Sequence, residues 1–389
     1  MVQRIIRVPE KLSFFLFGPR QTGKSTLVET LFTDQTWTVD FLLSDTFYLY
    51  ERDPSQFRRD ALYKIEKESV STIVIDEVQR LPVLLNEVHF LLEKCRHIRF
   101  ILTGSSARKL KRGASNLLAG RAVERHLYPF VWNEISGHLD LETMLHFGTL
   151  PGVYELNPRE KKEALRAYVN TYLKEEIRSE ALTRKLSSFS QFLDIAGAQF
   201  GHQLNFTAIG RDVGLSTKTV QIWYEILEDT LIGFRLDPWR KSVRKRLSAR
   251  PKFYFFDCGV TNAVNRVISG DFDHFYRGRL FEQFLVGQIK YTLDYLNEDV
   301  QLFYWRTSQG TEVDLLIVIN NRFRAACEIK YTARIQSSHL SGLKAFREDN
   351  PGIPLFVLAE TPNPYTRDGI SVLPWSHFLE NIESYAGLK

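Results

Sequence analysis

Residues 18–26 place two glycines, a lysine and several hydroxyl side chains at a spacing that suits phosphate binding. The glycines let backbone N–H groups point at phosphates, Lys24 supplies charge to the β and γ oxygens, and Ser25 offers a hydroxyl to magnesium. A strand predicted over 12–17 precedes this P-loop, and a helix predicted over 25–31 turns its positive end towards the same anion. The segment predicts an ATP site that uses Mg²⁺. It reads Gly18-Pro19-Arg20-Gln21-Thr22-Gly23-Lys24-Ser25-Thr26, which fits GxxxxGK[ST].

Acidic residues follow a second apolar run at the spacing that a P-loop requires. The run at 72–75 leads into Asp76 and Glu77. We expect Asp76 to hold the water shell of magnesium and Glu77 to polarise the attacking water. The next apolar run ends near Thr103 and Ser105, either of which is placed to sense the γ-phosphate. Capping of the following helix explains the serine nearly as well.

Composition and periodicity predict a globular α/β protein in three parts. The chain has 389 residues, of which 44% are hydrophobic and 25% charged, which excludes disordered and fibrous classes. Apolar runs alternate with amphipathic stretches up to about residue 155, the pattern of a parallel sheet with helices on both faces. We therefore predict a P-loop domain over 1–155, a largely helical domain over 156–256 and a second α/β domain over 257–389.

The cellular setting is predicted from what the sequence lacks. No apolar run reaches the roughly 18 residues of a membrane helix, and the N-terminus has no secretory core. The three cysteines form no CxxC pair, so a reducing compartment is expected. These features predict a cytoplasmic protein without membrane contact.

The segment 204–227 predicts a helix-turn-helix. Gly214 permits the tight turn and Ser216 caps the second helix. The exposed start of that helix, the part that enters a major groove, carries Lys218, Thr219 and Gln221.

A basic loop follows between two apolar runs, 231–236 and 253–256, as the wing of a winged helix would. Its basic side chains are expected to contact DNA phosphates and so give affinity without sequence preference. The alternative is that this region contacts proteins only. The candidate DNA-contacting residues of the loop are Arg240, Lys241, Arg244, Lys245 and Arg246.

The last region carries carboxylates and a lysine at the spacing of a metal-dependent nuclease. Glu282 lies on a predicted helix over 279–296, Asp314 on one predicted strand, and Glu328 and Lys330 on the next. Asp314 and Glu328 are expected to share one magnesium, with Lys330 orienting or activating water. The arrangement resembles the PD-(D/E)xK nucleases, although the proline-aspartate element is missing. The alternative is an inactive relic whose acids form salt bridges.

Taken together, the motifs resemble the prokaryotic AAA-type ATPases that carry a C-terminal domain of uncharacterised function. The resemblance rests on residues 18–25, 75–79, 103–106 and 119–121 and covers nearly the whole chain. It implies an AAA-type ATPase domain, a winged helix and a restriction-endonuclease-like domain.

The resemblance also implies roles for individual residues. Lys24 and Ser25 would bind nucleotide, and Asp76 and Glu77 would carry hydrolysis. Arg121 would stabilise charge on the γ-phosphate in its own or a neighbouring subunit, a role that requires a homo-oligomer in the second case. Arg108 and Arg112 compete for it.

These observations predict an ATP-dependent protein that binds or remodels DNA, with branched or junction DNA as a target. Two alternatives stay open. One is a nucleotide-controlled switch that binds protein partners and has an inactive nuclease-like domain. The other is an ATP-modulated, metal-dependent DNA nuclease.

Overall fold

The N-terminal region of the computed structural model is built on a five-stranded parallel sheet. The model describes residues 2–388 except 107, 109, 111–116, 174–185, 241–249 and 297–298. The strand order is β2-β3-β4-β1-β5. Because all neighbours are parallel, the carboxyl ends of the five strands share one edge. The strands are β1 (Ser13–Phe17), β2 (Thr36–Asp40), β3 (Thr72–Asp76), β4 (Arg99–Gly104) and β5 (Ala122–His126).

Helices cover both faces of this sheet, as predicted. Successive side chains of β1 point to opposite faces, and the whole strand is buried. Phe15 and Phe17 pack with α2, α3 and α4, whereas Phe14 and Leu16 pack with α1 and a long C-terminal helix. The mixed α/β class and the parallel N-terminal sheet are thus confirmed. The first helices are α1 (Lys24–Glu29), α2 (Ser44–Arg52), α3 (Pro54–Lys67) and α4 (Leu84–Lys94).

The middle of the chain is helical. Two of its helices are joined by a tight turn in which Gly214 has φ +68°, and the Ser216 side chain accepts from the Thr219 amide at 3.1 Å. Helix, turn and helix therefore lie where the sequence predicts them. The helices are α5 (Trp132–Ile135), α6 (Leu141–Phe147), α7 (Pro151–Tyr154), α8 (Pro158–Ala167), α9 (Leu186–Ala198), α10 (Phe206–Val213) and α11 (Thr217–Asp229).

A mixed sheet of eight strands forms the C-terminal part. Its order is β12-β13-β11-β10-β9-β8-β6-β7. The two strands that flank the basic loop form an antiparallel pair, and the end of β6 also pairs in parallel with β8. These two strands therefore belong to the same sheet as the last strands. The strands are β6 (Gly233–Pro238), β7 (Lys252–Phe255), β8 (Val300–Arg306), β9 (Glu312–Ile319), β10 (Arg322–Lys330), β11 (Leu355–Ala359), β12 (Tyr365–Arg367) and β13 (Ile370–Pro374).

One long helix, α13, lies between the two sheets. Its end contacts the first sheet through Tyr291 and Tyr295, and its beginning contacts the second through residues such as Leu280 and Leu285. Among the described helices, none is both long and apolar enough to cross a membrane. The C-terminal helices are α12 (Cys258–Val264), α13 (His274–Tyr295), α14 (Ser341–Asp349), α15 (Trp375–Glu380) and α16 (Ile382–Tyr385).

A buried arginine near the N-terminus connects the P-loop to α13. The Arg4 guanidinium forms an ion pair with Glu134 at 2.9 Å and donates to Thr22 O at 2.9 Å. It also donates to Tyr128 O at 2.7 Å and to the Tyr295 hydroxyl at 2.8 Å. The side chains of Arg4 and Glu134 are 8% and 0% exposed.

We predict that Arg4→Ala strongly destabilises the protein. The change leaves the Glu134 carboxylate buried without its counter-ion, which typically costs about 3–5 kcal/mol. Urea unfolding followed by tryptophan fluorescence measures the loss. Arg159→Ala is the control, because Arg159 is 88% exposed and its pair with Glu163 contributes only about 0.5 kcal/mol. Equal losses in the two variants would contradict the prediction.

Candidate functional site

The P-loop joins β1 to α1 at the carboxyl edge of the first sheet. The Gly18 amide donates to Gly104 O at 3.2 Å, so the loop is held against the end of β4. A Cβ atom at Gly18 would lie 2.4 Å from Leu127 O, and Gly23 has φ +86°. Both glycines are therefore required by the backbone itself, for a close approach and for a left-handed turn.

The lysine and serine of the motif point to the same side of the loop. Lys24 is buried, and its ammonium donates to Gly18 O at 2.8 Å and Pro19 O at 3.0 Å. Ser25 Oγ lies 3.0 Å from Asp76 Oδ2. A cationic donor and an oxygen pair thus lie next to each other where the helix begins.

The ends of β3 and β4 bring the acidic residues to this loop. Because β4 lies between β1 and β3, Thr103 is next to Asp76, and its hydroxyl donates to Asp76 Oδ1. The Glu77 amide donates to the same oxygen at 3.1 Å, with Glu77 in a left-handed conformation at φ +59°. The structure brings together Lys24, Ser25, Asp76, Glu77 and Thr103.

A buried glutamine orients Glu77. Gln79 Nε2 donates to Glu77 Oε2 at 2.5 Å and to Ser105 Oγ at 3.1 Å. A Cβ at Gly104 would lie 2.5 Å from Gln79 Oε1, so the glycine makes room for this side chain. No role of Gln79 could be predicted from the sequence, because its contacts depend on where β4 ends.

Burial dominates the electrostatics of Glu77. Desolvation raises the pKa of its carboxyl above the ordinary value, and the Asp76 charge adds to this. Lys24, Arg20 and the hydrogen bond from Gln79 act in the opposite direction without cancelling the rise. A raised pKa suits a group that takes part in proton transfer.

The three candidate arginines differ in position. Arg121 immediately precedes β5. Because Ala122 of β5 pairs with Ser13 at the start of β1, Arg121 lies at the amino ends of the strands, about 16 Å along β1 from the P-loop. The side chain cannot span that distance within one chain, so a role at the γ-phosphate requires a second copy. In this structure Arg121 pairs with Glu93 at 2.8 Å. Arg112 lies outside the described residues.

Arg108 connects the loop after β4, at the carboxyl edge of the first sheet, to the helix-turn-helix. Its guanidinium pairs with the carboxylate of Asp229, the last residue of α11. Ser106 Oγ also donates to Asp229 O at 3.2 Å. The loop that follows Thr103 is therefore bonded to the end of the predicted recognition helix.

A cavity of about 690 Å³ opens beside the P-loop. The segment at 2–8, helix α1 and two residues of α7, Pro151 and Tyr154, contribute to its wall. The amide of Gly152 donates to Gln21 O at 3.2 Å, which ties α7 to the P-loop. The cavity has the size and the mainly apolar lining of a small-molecule site. Sequence reasoning missed it, because its walls come from distant segments.

The predicted DNA-contacting residues differ in exposure. Lys218 and Gln221 are exposed on α11, and Thr219 is half-buried beside its cap. Arg240 is half-buried and donates to Arg306 O at 2.9 Å. Lys241, Arg244, Lys245 and Arg246 lie outside the described residues.

A second set of charged residues is buried between α13 and the second sheet. We call it the buried charge cluster. Glu282 comes from α13, Asp314 from β9, and Glu328 and Lys330 from β10, as the sequence predicts. Two further members, which sequence reasoning did not include, come from β7 and the start of β9. The cluster comprises Lys252, Glu282, Glu312, Asp314, Glu328 and Lys330.

The carboxylates of the cluster differ in pKa. Burial and the nearby Asp314 charge raise the pKa of Glu328 to about 8, against the influence of Lys330. Burial also raises the pKa of Glu282, although Lys252 opposes the shift. Burial alone would raise the pKa of Asp314 too, but Lys330, Lys252 and the Ile329 amide outweigh it, so this pKa is lowered.

Ammonium groups already lie among the carboxylates of the buried charge cluster. Lys330 lies 2.6 Å from Glu328 Oε1 and 3.3 Å from Asp314 Oδ2, and the Ile329 amide donates to that aspartate oxygen at 2.8 Å. In the described part of the chain, no group of three or more His, Cys, Asp or Glu side chains is arranged to hold a metal. The metal role predicted for Glu282, Asp314 and Glu328 stays a prediction.

Family models match the chain at both ends. Residues 10–136 match the model of the AAA domain, and residues 277–378 match a domain of unknown function (DUF4143). Residues 138–270 match a further domain of unknown function (DUF8612). The chain therefore carries an AAA domain at its N-terminus and a DUF4143 domain at its C-terminus, and this part of the resemblance is confirmed.

Individual relatives extend over most of the chain. Uncharacterized proteins of Mycobacterium tuberculosis and Mycobacterium bovis are each 25% identical over 317 residues, which is 79% of this chain and 68% of theirs. A solved structure of the replication initiator DnaA bound to AMPPCP and single-stranded DNA covers 56% of this chain and 82% of its own. Its identity is 14% and its TM-score 0.26.

We predict that Gln79→Leu moves the acidic limb of a nucleotide-hydrolysis pH profile to higher pH. The hydrogen bond from Gln79 lowers the pKa of Glu77, so its loss raises that pKa further, and less Glu77 is ionised at a given pH. The measurement is kcat against pH. Gln35→Leu is the control, since Gln35 is exposed and, among the described contacts, its side chain bonds only the Ser71 hydroxyl. Superimposable profiles for wild type and Gln79→Leu would count against the role.

Proposed function

We propose that the protein hydrolyses ATP and couples hydrolysis to binding or remodelling of DNA. The observation that carries the proposal is the meeting of Lys24, Ser25, Asp76 and Glu77 at one sheet edge. A cationic donor, an oxygen pair and a buried carboxylate are what phosphoryl transfer to water requires. The AAA domain model over residues 10–136 supports the same activity.

Each residue has one task in this proposal. Backbone N–H groups of residues 20–23 and the Lys24 ammonium bind the phosphates. Ser25 and Asp76 would hold Mg²⁺, which neutralises charge that develops on the phosphates. Glu77, oriented by Gln79, accepts a proton from the attacking water, and Thr103 keeps the Asp76 carboxylate in place. The cavity beside the P-loop would take the nucleobase.

The route to DNA runs through the loop after β4. This loop begins next to Thr103, which contacts Asp76, and is bonded through Ser106 and Arg108 to Asp229 at the end of α11. A shift of Thr103 on hydrolysis would therefore move α11, the helix that carries Lys218 and Gln221. Branched or junction DNA is the proposed target. The basic loop would contact phosphates without reading sequence, so the protein would have to recognise the shape of its DNA.

We predict that Lys24→Ala abolishes nucleotide binding, whereas Glu77→Gln retains binding and stops hydrolysis. The first removes the charge that holds the phosphates, and the second removes the proton acceptor. Fluorescent-nucleotide binding and phosphate release measure the two properties, each with single-stranded, duplex and four-way-junction DNA. Lys344→Ala and Glu163→Gln, in surface ion pairs far from the site, are the controls. Wild-type hydrolysis in Glu77→Gln would remove that residue from the mechanism.

A second candidate function is a nucleotide-controlled switch that binds a protein partner. It is favoured by two exposed residues of α11, the apolar Ile222 and the acidic Glu225, which lie beside Lys218 and Gln221. A carboxylate on this face would repel phosphates. Salt-dependent binding to DNA separates the two candidates.

We predict that replacing Arg244, Lys245 and Arg246 by glutamine weakens DNA binding at every sequence tested. Each lost phosphate contact also makes the negative slope of log K against log salt shallower by about 0.9, because fewer counterions are released. Fluorescence anisotropy over a range of salt concentrations measures both effects. The control neutralises three charges on α3, Arg59, Lys64 and Lys67. An unchanged slope would favour the protein-binding candidate.

A further inference from the structure

Lys252 is a buried lysine in the middle of the charge cluster. It is the first residue of β7, opposite Leu236 in β6, and its side chain is 5% exposed. The ammonium lies 5.5 Å from the centre of the Tyr304 ring. A buried lysine requires opposite charges close to it, and the neighbouring elements provide them.

The Lys252 ammonium bridges two carboxylates from different elements. It lies 2.8 Å from Glu282 Oε1 and 2.6 Å from Glu312 Oε1. The Tyr254 hydroxyl donates to the same Glu282 oxygen at 2.6 Å, and Arg306 pairs with the other oxygen of Glu312 at 2.8 Å. These contacts hold the two carboxylates without any further ion.

The remaining two carboxylates have a different cation. Lys330 pairs with Glu328 and Asp314, and Ile329 donates its amide to Asp314. The cluster is thereby divided into two halves, each with its own ammonium group. A hard divalent ion needs several carboxylate oxygens converging on one point, and it would have to displace a buried lysine to obtain them.

We propose that Lys252 is the resident cation of the half of the cluster that contains Glu282 and Glu312, and that Lys252 together with Lys330 leaves no place for a divalent ion among the carboxylates. The cluster therefore binds no divalent ion and supports no metal-dependent strand cleavage. Its function is to fasten β7, the strand that follows the basic loop, to α13 and β9. The proposal is independent of the nucleotide site.

The chemistry of Lys252 also predicts what its removal would do. Without the ammonium, Glu282 would be a largely buried carboxylate under the influence of the Asp314 charge, and Glu312 would keep its pair with Arg306 but lose its second counter-charge. Like charges at such a position favour uptake of a cation. Lys252→Ala should therefore create a divalent-ion site that the natural chain lacks.

The first test measures metal binding to the full chain without nucleotide. The melting temperature is recorded with and without Mn²⁺ for wild type and for Asp314→Asn, so that any binding at the P-loop is common to both. We expect the same Mn²⁺ response in the two proteins, because binding of a ligand at the cluster would stabilise only the wild type. A larger rise in wild type than in Asp314→Asn would overturn the proposal.

The second test measures whether Lys252 variants gain stabilisation by Mn²⁺. Lys252→Ala should acquire an additional Mn²⁺-dependent rise in melting temperature, whereas Lys252→Arg, which retains the charge, should not. Lys344→Ala is the control, since it removes a surface lysine paired with Asp368. A folded Lys252→Ala protein without the gain would refute the role of Lys252 as resident cation. Should this variant not fold, the comparison of wild type with Asp314→Asn decides.

The third test concerns cleavage. Wild type is incubated with Mg²⁺ or Mn²⁺ and single-stranded, duplex or four-way-junction DNA, with and without ATP. We expect intact strands throughout. Cleavage that is lost in both Asp314→Asn and Lys330→Ala would overturn the proposal and support the nuclease alternative.

Discussion

The structure depends on one helix that must be buried on nearly every side. Of the 22 residues of α13, 13 are buried, so no single sheet can cover it. The first sheet packs against the end of the helix with Tyr291 and Tyr295, and the second sheet packs against its first half. The AAA domain and the C-terminal domain are therefore held together by one continuous element, and polar groups at either end of it are withdrawn from water.

Burial of these polar groups explains the two charged networks along the helix. At its C-terminal end the Tyr295 hydroxyl accepts from Arg4, which also holds Glu134 and the P-loop carbonyl of Thr22. Near its beginning, Glu282 meets Lys252 and Tyr254. In both places a buried charge is tolerated because an opposite charge and additional hydrogen bonds satisfy it. The P-loop, through Arg4, and the charge cluster thus contact the same helix at different positions along it.

A second connection, between the loop after β4 and α11, is made by polar contacts. Arg108 and Ser106 bond Asp229 at the end of α11, next to the strand that carries Thr103. Packing of apolar surfaces holds α13 in place, whereas the junction at α11 includes contacts of a buried arginine and a buried serine with the half-buried Asp229. An apolar junction at α13 and a polar one at α11 thus connect the first sheet to the rest of the chain.

The sequence by itself determined the local elements and the residues whose spacing along one segment defines a function. The P-loop, the acidic end of β3, the helix-turn-helix and the parallel N-terminal sheet were all predictable, because glycine conformation, capping and apolar periodicity act between residues near in the chain. The exact end of a strand is less predictable: β2 ends at Asp40, and the apolar residues Leu42 and Leu43 that follow it are exposed.

Only the tertiary structure decided which distant residues meet. Gln79 reaches Ser105 from a different strand end, Arg4 reaches Tyr295 across 291 positions, and Lys252 enters the cluster from a strand on the far side of the basic loop. Arg121 lies at the sheet edge opposite the P-loop because β5 is parallel to β1 and follows it. No spacing rule encodes these contacts, because they depend on the order in which strands pair and on the two sheets that α13 brings together.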